Sequence, residues 1–261
     1  MNGSKAKVVS LPISNIFIRS RDMRICLLGY GRMGHEVERV ALSRGHEVVA
    51  KIDSEWDTLP SCDAVIEFTR PGVAYENITK CIKQGAPIVS GTTGWLEQWD
   101  KAVECVKQHD GTFFYASNFS IGVYLFRLIN VYMAKLMNHY PNYIPSVEET
   151  HHIHKLDYPS GTALTIANEM IEQLDAKSEA LAYLEPNKAP SHSDDQLLIA
   201  SIRKDSVPGT HVVKYESKED ILTLSHEAKG REGLALGAVL AAEFVVGKKG
   251  IYGMEDLIQL D

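Results

Sequence analysis

Three histidines, a lysine and a turn crowd into the fifteen residues Glu148-Glu-Thr-His-His-Ile-His-Lys-Leu-Asp-Tyr-Pro-Ser-Gly-Thr162. Imidazole and ammonium groups are the side chains best suited to carrying protons near neutral pH. In an extended chain side chains alternate between two faces, so His151 points one way and His152 and His154 the other. Lys155 falls on the parity of His151. After Pro159 the chain can enter a helix, and an apolar run follows (Ala163, Leu164, Ile166, Ala167, Met170, Ile171). Ser160, Gly161 and Thr162 then stand at the helix start, where free backbone N–H groups attract an anion. The segment is suited to holding a small anionic molecule and moving protons on it. A metal is the competing chemistry for His-His-x-His. No Cys or acidic partner has a familiar ligand spacing, and adjacent histidines diverge in a strand, so no metal is expected. A polar surface loop is the blandest alternative. The coincidence of proton carriers with an anion turn argues against it.

A second chemistry lies upstream. Gly29-Tyr30-Gly31-Arg32-Met33-Gly34 follows the apolar run Arg24–Leu28 and precedes Val37, Val40, Ala41 and Leu42 at helical spacing. The next strand, His46 to Ile52, closes at Asp53, nineteen positions after Gly34. Glycines between strand and helix, with an acid at the next strand end, point to a dinucleotide. Gly29 permits the tight turn, Gly31 lets the backbone approach a pyrophosphate, and Gly34 lets helix and strand pack closely. Asp53 is placed to hold ribose hydroxyls. It is followed by Ser54 rather than Arg, and a carboxylate repels a 2′-phosphate, so NADH is expected over NADPH, which Lys51 or Arg32 would have to accommodate.

These groups need a frame. Strands read at Asp63–Phe68, Ala86–Ser90 and Thr112–Ala116, with helices to about Gln84 and from Trp95 to about Gln108 between them. Only about ten residues separate Asp53 from the third strand, too few for a crossover helix. The alternation predicts a Rossmann-like, doubly wound parallel sheet in an α/β chain. Ligands bind beyond the carboxyl ends of such strands, where Glu67-Phe68-Thr69, Gly91-Thr92-Thr93 and Ala116-Ser117-Asn118-Phe119 offer walls for the nucleotide. A long apolar helix, Ile121 to His139, leads onward. Ser146–Thr150 reads as a strand, and a helix ends near Leu174. Residues 175–195 read as a surface connection, and Leu197–Arg203, His211–Tyr215 and Ile221–His226 as strands. The second domain is therefore expected to be α+β, with a mixed, mainly antiparallel sheet. An Ala/Leu/Val-rich helix to Val246 suits packing back onto the first domain. The expected division is a leader at 1–22, a dinucleotide-binding domain at 23–120 completed by 231–261, and a substrate-binding and oligomerisation domain at 121–230.

A chain of 261 residues, 44% hydrophobic and 23% charged, has the composition of a soluble globular protein with room for two modest domains. Its net charge of −7 argues against a nucleic-acid or anionic-membrane partner. Any anionic ligand must be drawn by local cations against that field. Cys26, Cys62, Cys81 and Cys105 show no Cys-x-x-Cys pairing and read as reduced thiols of a cytoplasmic protein. No apolar run reaches membrane-spanning length. Residues 1–22 are too interrupted by polar groups and Pro12 for a signal peptide.

Five motifs in order resemble the 4-hydroxy-tetrahydrodipicolinate reductase family: Gly29–Gly34, Glu67-Phe-Thr-Arg-Pro71, Gly91-Thr-Thr-Gly94, Ala116–Gly122, and His151-His-x-His-Lys-x-Asp-x-Pro-Ser-Gly-Thr162. The resemblance runs from Met23 to the C-terminus, and the last motif is its most specific. It implies NAD(P)H-dependent reduction of a cyclic imine dicarboxylate in diaminopimelate and lysine synthesis. It also implies two domains and a homotetramer. His151 takes the place of the catalytic acid/base and Lys155 that of the proton donor. His152, Ser160, Gly161 and Thr162 fall where the family binds substrate carboxylates. Gly29, Tyr30, Gly31, Arg32, Met33, Gly34, Asp53, Phe68, Gly91, Thr92, Thr93, Ala116, Ser117, Asn118 and Phe119 match its cofactor segments. Another dinucleotide-dependent amino-acid dehydrogenase, or a protein that senses NADH without turnover, are the alternatives.

Overall fold

The computed structural model describes residues 22–185 and 189–259. The leader expected at 1–22 lies, apart from Asp22, outside the described residues. Six parallel strands form the first sheet, in the order β2 (Glu47–Ile52), β1 (Arg24–Leu28), β3 (Ala64–Glu67), β4 (Ile88–Ser90), β5 (Thr112–Tyr115) and β11 (Gly250–Tyr252). The central strands read as unbroken apolar runs because helices cover both faces. One layer holds α1 (Arg32–Ser43) and α6 (Glu232–Val245); the other holds α2 (Pro71–Lys83) and α3 (Trp99–Gln108). The helix expected from Trp95 opens with a 3₁₀ turn, Leu96–Gln98. No helix joins β2 to β3, as the short gap requires, and β1 lies between them. The loop after β1 therefore opens where the winding of the sheet reverses.

Small residues let α6 lie close to the sheet. A Cβ on Gly237 would stand 1.8 Å from the carbonyl oxygen of Phe119. The three-residue β11, absent from the strands expected, extends the sheet beside β5.

The second sheet runs β10 (Ile221–Glu227), β9 (Thr210–Glu216), β6 (Ile144–His151), β8 (Gln196–Arg203), β7 (Glu179–Leu184). Two corrections follow. The sheet is an even mix, because β10–β9 and β9–β6 are antiparallel while β6–β8 and β8–β7 are parallel. The span 175–195, expected as a connection, contains the edge strand β7. Burial alternates along β8 and β9, since α4 (Ile121–Met137) and α5 (Gly161–Ile171) pack on one face only. The other face leaves Leu198, Ala200, Ile202 and Val212 half-buried. The chain closes with α7 (Met254–Leu257). The four cysteines are free. Among the described residues no helix is long and apolar enough to cross a membrane.

Candidate active site

The glycine turn after β1 is shaped by what it excludes. Gly29 has φ +87°, and a Cβ there would lie 2.0 Å from the Phe68 carbonyl oxygen. A Cβ on Gly34 would meet the Gly29 carbonyl oxygen at 2.4 Å. Gly31, the N-cap of α1, faces open space instead. The turn thus brings a helix N-terminus to a free surface with no side chain over it, the cradle a pyrophosphate requires. Asp53 accepts from the backbone N–H of Tyr30 at 3.1 Å, which fixes the acid beside the turn. Lys51 is held 2.5 Å from Glu38 and donates to the Tyr30 hydroxyl. Arg32 is exposed, and Met33 packs on the core.

The other strand ends meet this turn. Phe68 lies across Gly91, where a Cβ would come within 2.1 Å of its ring. Glu67 is fully buried and accepts from Ser90 Oγ, Thr92 Oγ1, and the N–H and hydroxyl of Thr69. Its carboxylate ties the loops after β3 and β4 together. Thr93 and Ser117 are exposed, and Ala116 is buried. Phe119 is 1% exposed and packs against Phe68 and Phe114, so its ring serves the core and only its backbone is left for a ligand.

Register builds the proton-carrying side. Glu149 and His151 are two apart on β6 and share its covered face. Glu149 sits between Ser201 of β8 and His211 of β9, and His151 is opposite Arg203. His151 Nδ1 abuts Glu149 Oε2. Arg203 Nη2 donates to Glu149 Oε1 at 3.0 Å, and the Ser160 N–H to the same oxygen at 3.3 Å. Burial pushes Glu149 up, but the adjoining His151, Ser201 and Arg203 outweigh it and hold the carboxylate at about 2. Burial, then the neighbouring His151, push the His211 imidazole down to about 4.

The expected strand parity of Lys155 fails, because β6 ends at His151 and the chain turns, with the Lys155 N–H bonded to the His152 carbonyl at 3.0 Å. Lys155 is placed instead by Arg203, whose guanidinium donates to the carbonyls of Lys155 and Asp157. Its ammonium contacts both Asp157 oxygens, at 2.9 and 2.7 Å. The His-His-x-His run does not converge. His152 faces His154, whereas Glu149, His151 and His211 bring potential ligand atoms within 4.8 Å of one another. Arg203 already takes Oε1 of that carboxylate.

Ser160 caps α5, its hydroxyl accepting from the Ala163 N–H at 3.2 Å and lying 3.2 Å from His211 Nε2. With its N–H on Glu149 as well, Ser160 is committed to the protein. Gly161 is exposed and Thr162 half-exposed at the helix start. Asn118 Nδ2 reaches Thr162 Oγ1 at 3.5 Å, so the segment after β5 and the anion turn adjoin. Arg203, His211 and the buried role of Glu149 escaped sequence reasoning. Only the pairing of three strands brings them together.

Two family profiles match the chain: "Dihydrodipicolinate reductase, C-terminus" over residues 122–258, and "Dihydrodipicolinate reductase, N-terminus" over residues 54–119. A 4-hydroxy-tetrahydrodipicolinate reductase of Christiangramia forsetii is 43% identical over 90% of this chain and 98% of its own length. A Neisseria meningitidis serogroup A protein of the same description is 32% identical over 86% of this chain and 84% of its own. Among solved structures, a dipicolinate-bound dihydrodipicolinate reductase from a Paenisporosarcina species has the same fold. It has TM-score 0.69 and 22% identity, and the match covers 91% of this chain and all of that one. Matching glycine cradle, histidine segment, fold and relatives agree, and the chain belongs to the dihydrodipicolinate reductase family.

Proposed function

We infer that the protein reduces 4-hydroxy-tetrahydrodipicolinate to tetrahydrodipicolinate with NAD(P)H, in the synthesis of diaminopimelate and lysine. The contact between Asn118 and Thr162 carries this reading, because it sets the end of the nucleotide sheet against the anion turn. Bound NAD(P)H supplies the hydride. Gly29 to Gly34 and Asp53 hold its phosphates and ribose, while Phe68, Gly91 to Thr93 and Ala116 to Phe119 form the walls. Gly161 and Thr162 offer N–H groups to one substrate carboxylate, with His152 beside them. Ser160 acts by capping their helix. His151 carries the acid/base role. Lys155 exchanges Asp157 for the second carboxylate and donates a proton, assisted by the low dielectric of a closed cleft.

NADH is the proposed coenzyme. Asp53 repels a 2′-phosphate, and Glu38 already neutralises Lys51, the nearest cation on β2. The proposed division keeps 23–120 with 231–261 as the nucleotide unit and 121–230 as the substrate unit. The half-buried face of the second sheet is proposed to close a cytoplasmic homotetramer, since among the described residues nothing buries its apolar side chains fully.

The test is a coupled assay in which dihydrodipicolinate synthase supplies the unstable substrate, run with NADH and then NADPH. Substrate-dependent loss of NADH absorbance is expected, faster than with NADPH. His151→Gln and Lys155→Ala should each cut turnover by roughly 10²-fold or more while leaving the melting transition near that of the parent. Equal loss of turnover and stability would remove both from the chemistry.

A further inference from the structure

We propose that Glu149 is a positioning residue that keeps the His151 proton on Nδ1 and so leaves Nε2 as the working nitrogen, with Gly209 leaving the approach to that nitrogen open. The proposal rests on the reading of His151 as the acid/base.

Glu149 is wholly buried, and Oε1 is taken by Arg203 Nη2 and the Ser160 N–H. The group cannot turn without breaking both bonds, so Oε2 is presented to His151 Nδ1. An ionised carboxylate only accepts, and therefore Nδ1 must carry the hydrogen. The neutral ring then has its lone pair on Nε2. That nitrogen lies beside Gly209, where a Cβ would come within 3.0 Å of it and 3.3 Å of Cδ2. Any larger residue in this turn would press on the ring edge that has to work.

The surroundings leave Glu149 as the balancing charge. Facing His151 are Glu149 on its own strand, Arg203 on β8, His211 on β9, and the Ser160 N-cap of α5. Lys155 and Asp157 lie in the following turn, and His226 stands farther off on β10. The His211 ring meets His151 nearly edge-on, at 5.3 Å and 73°, and is neutral at working pH. Asp157 is spent on Lys155. Arg203 also holds the carbonyls of Lys155 and Asp157, so one guanidinium aligns the carboxylate behind His151 and the turn that carries Lys155.

The test combines spectroscopy and kinetics on the full chain. With ¹⁵N-labelled histidine, native protein above the imidazole transition should show the His151 proton on Nδ1; a proton on Nε2 overturns the proposal, and this measurement needs no variant. Glu149→Gln should lower kcat on the order of 10²-fold with the KM for the dicarboxylate changed only a few-fold. Its ¹⁵N spectrum should show the His151 proton shared between Nδ1 and Nε2, because an amide no longer selects one nitrogen. Glu149→Asp should recover part of kcat. Gly209→Ala should lower kcat while the Nδ1 proton stays in place. A Glu149→Gln enzyme with parental kcat and the His151 proton still on Nδ1, beside an inactive His151→Gln, sinks the positioning role alone. Full turnover by His151→Gln instead sinks the acid/base reading, while the nitrogen spectrum still decides where the proton lies.

Discussion

The two halves of the site are made of different material. The nucleotide side is made of backbone and of missing side chains: Gly29, Gly34 and Gly91 stand where a Cβ has no room, and Gly31 where nothing covers the helix end. The proton side is made of buried polar and charged side chains, with Glu149, Arg203, His151 and His211 drawn from three strands. A backbone cradle is local, so a short motif specifies it. A charge network has its parts scattered along the chain, and its properties belong to the set rather than to any one member.

The contrast can be broken by substitution. Gly29→Ala should do the greatest damage to folding, by about 2–4 kcal/mol from a left-handed backbone position and an overlap with Phe68. Chemical denaturation and NADH fluorescence titration would show stability and nucleotide binding lost together, whereas the His151 variants lose turnover alone. A stable Gly29→Ala protein that binds NADH normally would erase the distinction. The nucleotide side also holds a charge cluster between α1 and α6. Glu243 on α6 accepts from Arg44 at 2.7 and 2.9 Å and lies 2.8 Å from His46 Nε2. Glu243→Ala should cost about 2 kcal/mol in a denaturant titration by leaving the half-buried Arg44 guanidinium unpaired.

Acid should separate the halves more gently. His211 is pushed below its ordinary 6.5 to about 4. As pH falls through that window the unfolded chain takes up a proton that the folded chain refuses, so stability is full above 6.5 and declines towards 4. Glu149 adds a loss below its ordinary 4.5, towards about 2. His211→Asn should flatten the decline between pH 6.5 and 4 in melting curves; an unchanged slope would discount His211. The smallest effect is expected from Glu227→Gln. Its partner Lys229 is exposed, and the melting temperature should not move measurably.

The same division governs what could be read in advance. Apolar runs and glycine punctuation placed the parallel sheet from β1 to β5, because β1, β3, β4 and β5 are buried on both faces and the strands are flanked by turns. The start of α5 after Pro159 was equally legible, but the expected substrate role of Ser160 hid its use as the cap. The strand β7 was not, because Glu179–Leu184 is an edge strand paired on one side only and flanked by polar residues. Three residues of β11 are too few to show a period. The parity assigned to Lys155 failed because a turn, stabilised by the distant Arg203, ends the strand at His151. Arg203 and His211 each look like ordinary strand residues until register sets them against Glu149.

One consequence concerns the order in which the chain is finished. Residues 144–227 supply every strand of the second sheet, whereas the first waits for α6 and β11, whose partners were made more than a hundred residues earlier. During synthesis the half containing the histidines has all its strands before the half that opens the chain. A truncation of the last dozen residues would therefore injure the N-terminal sheet, far from the cut in sequence and beside it in space.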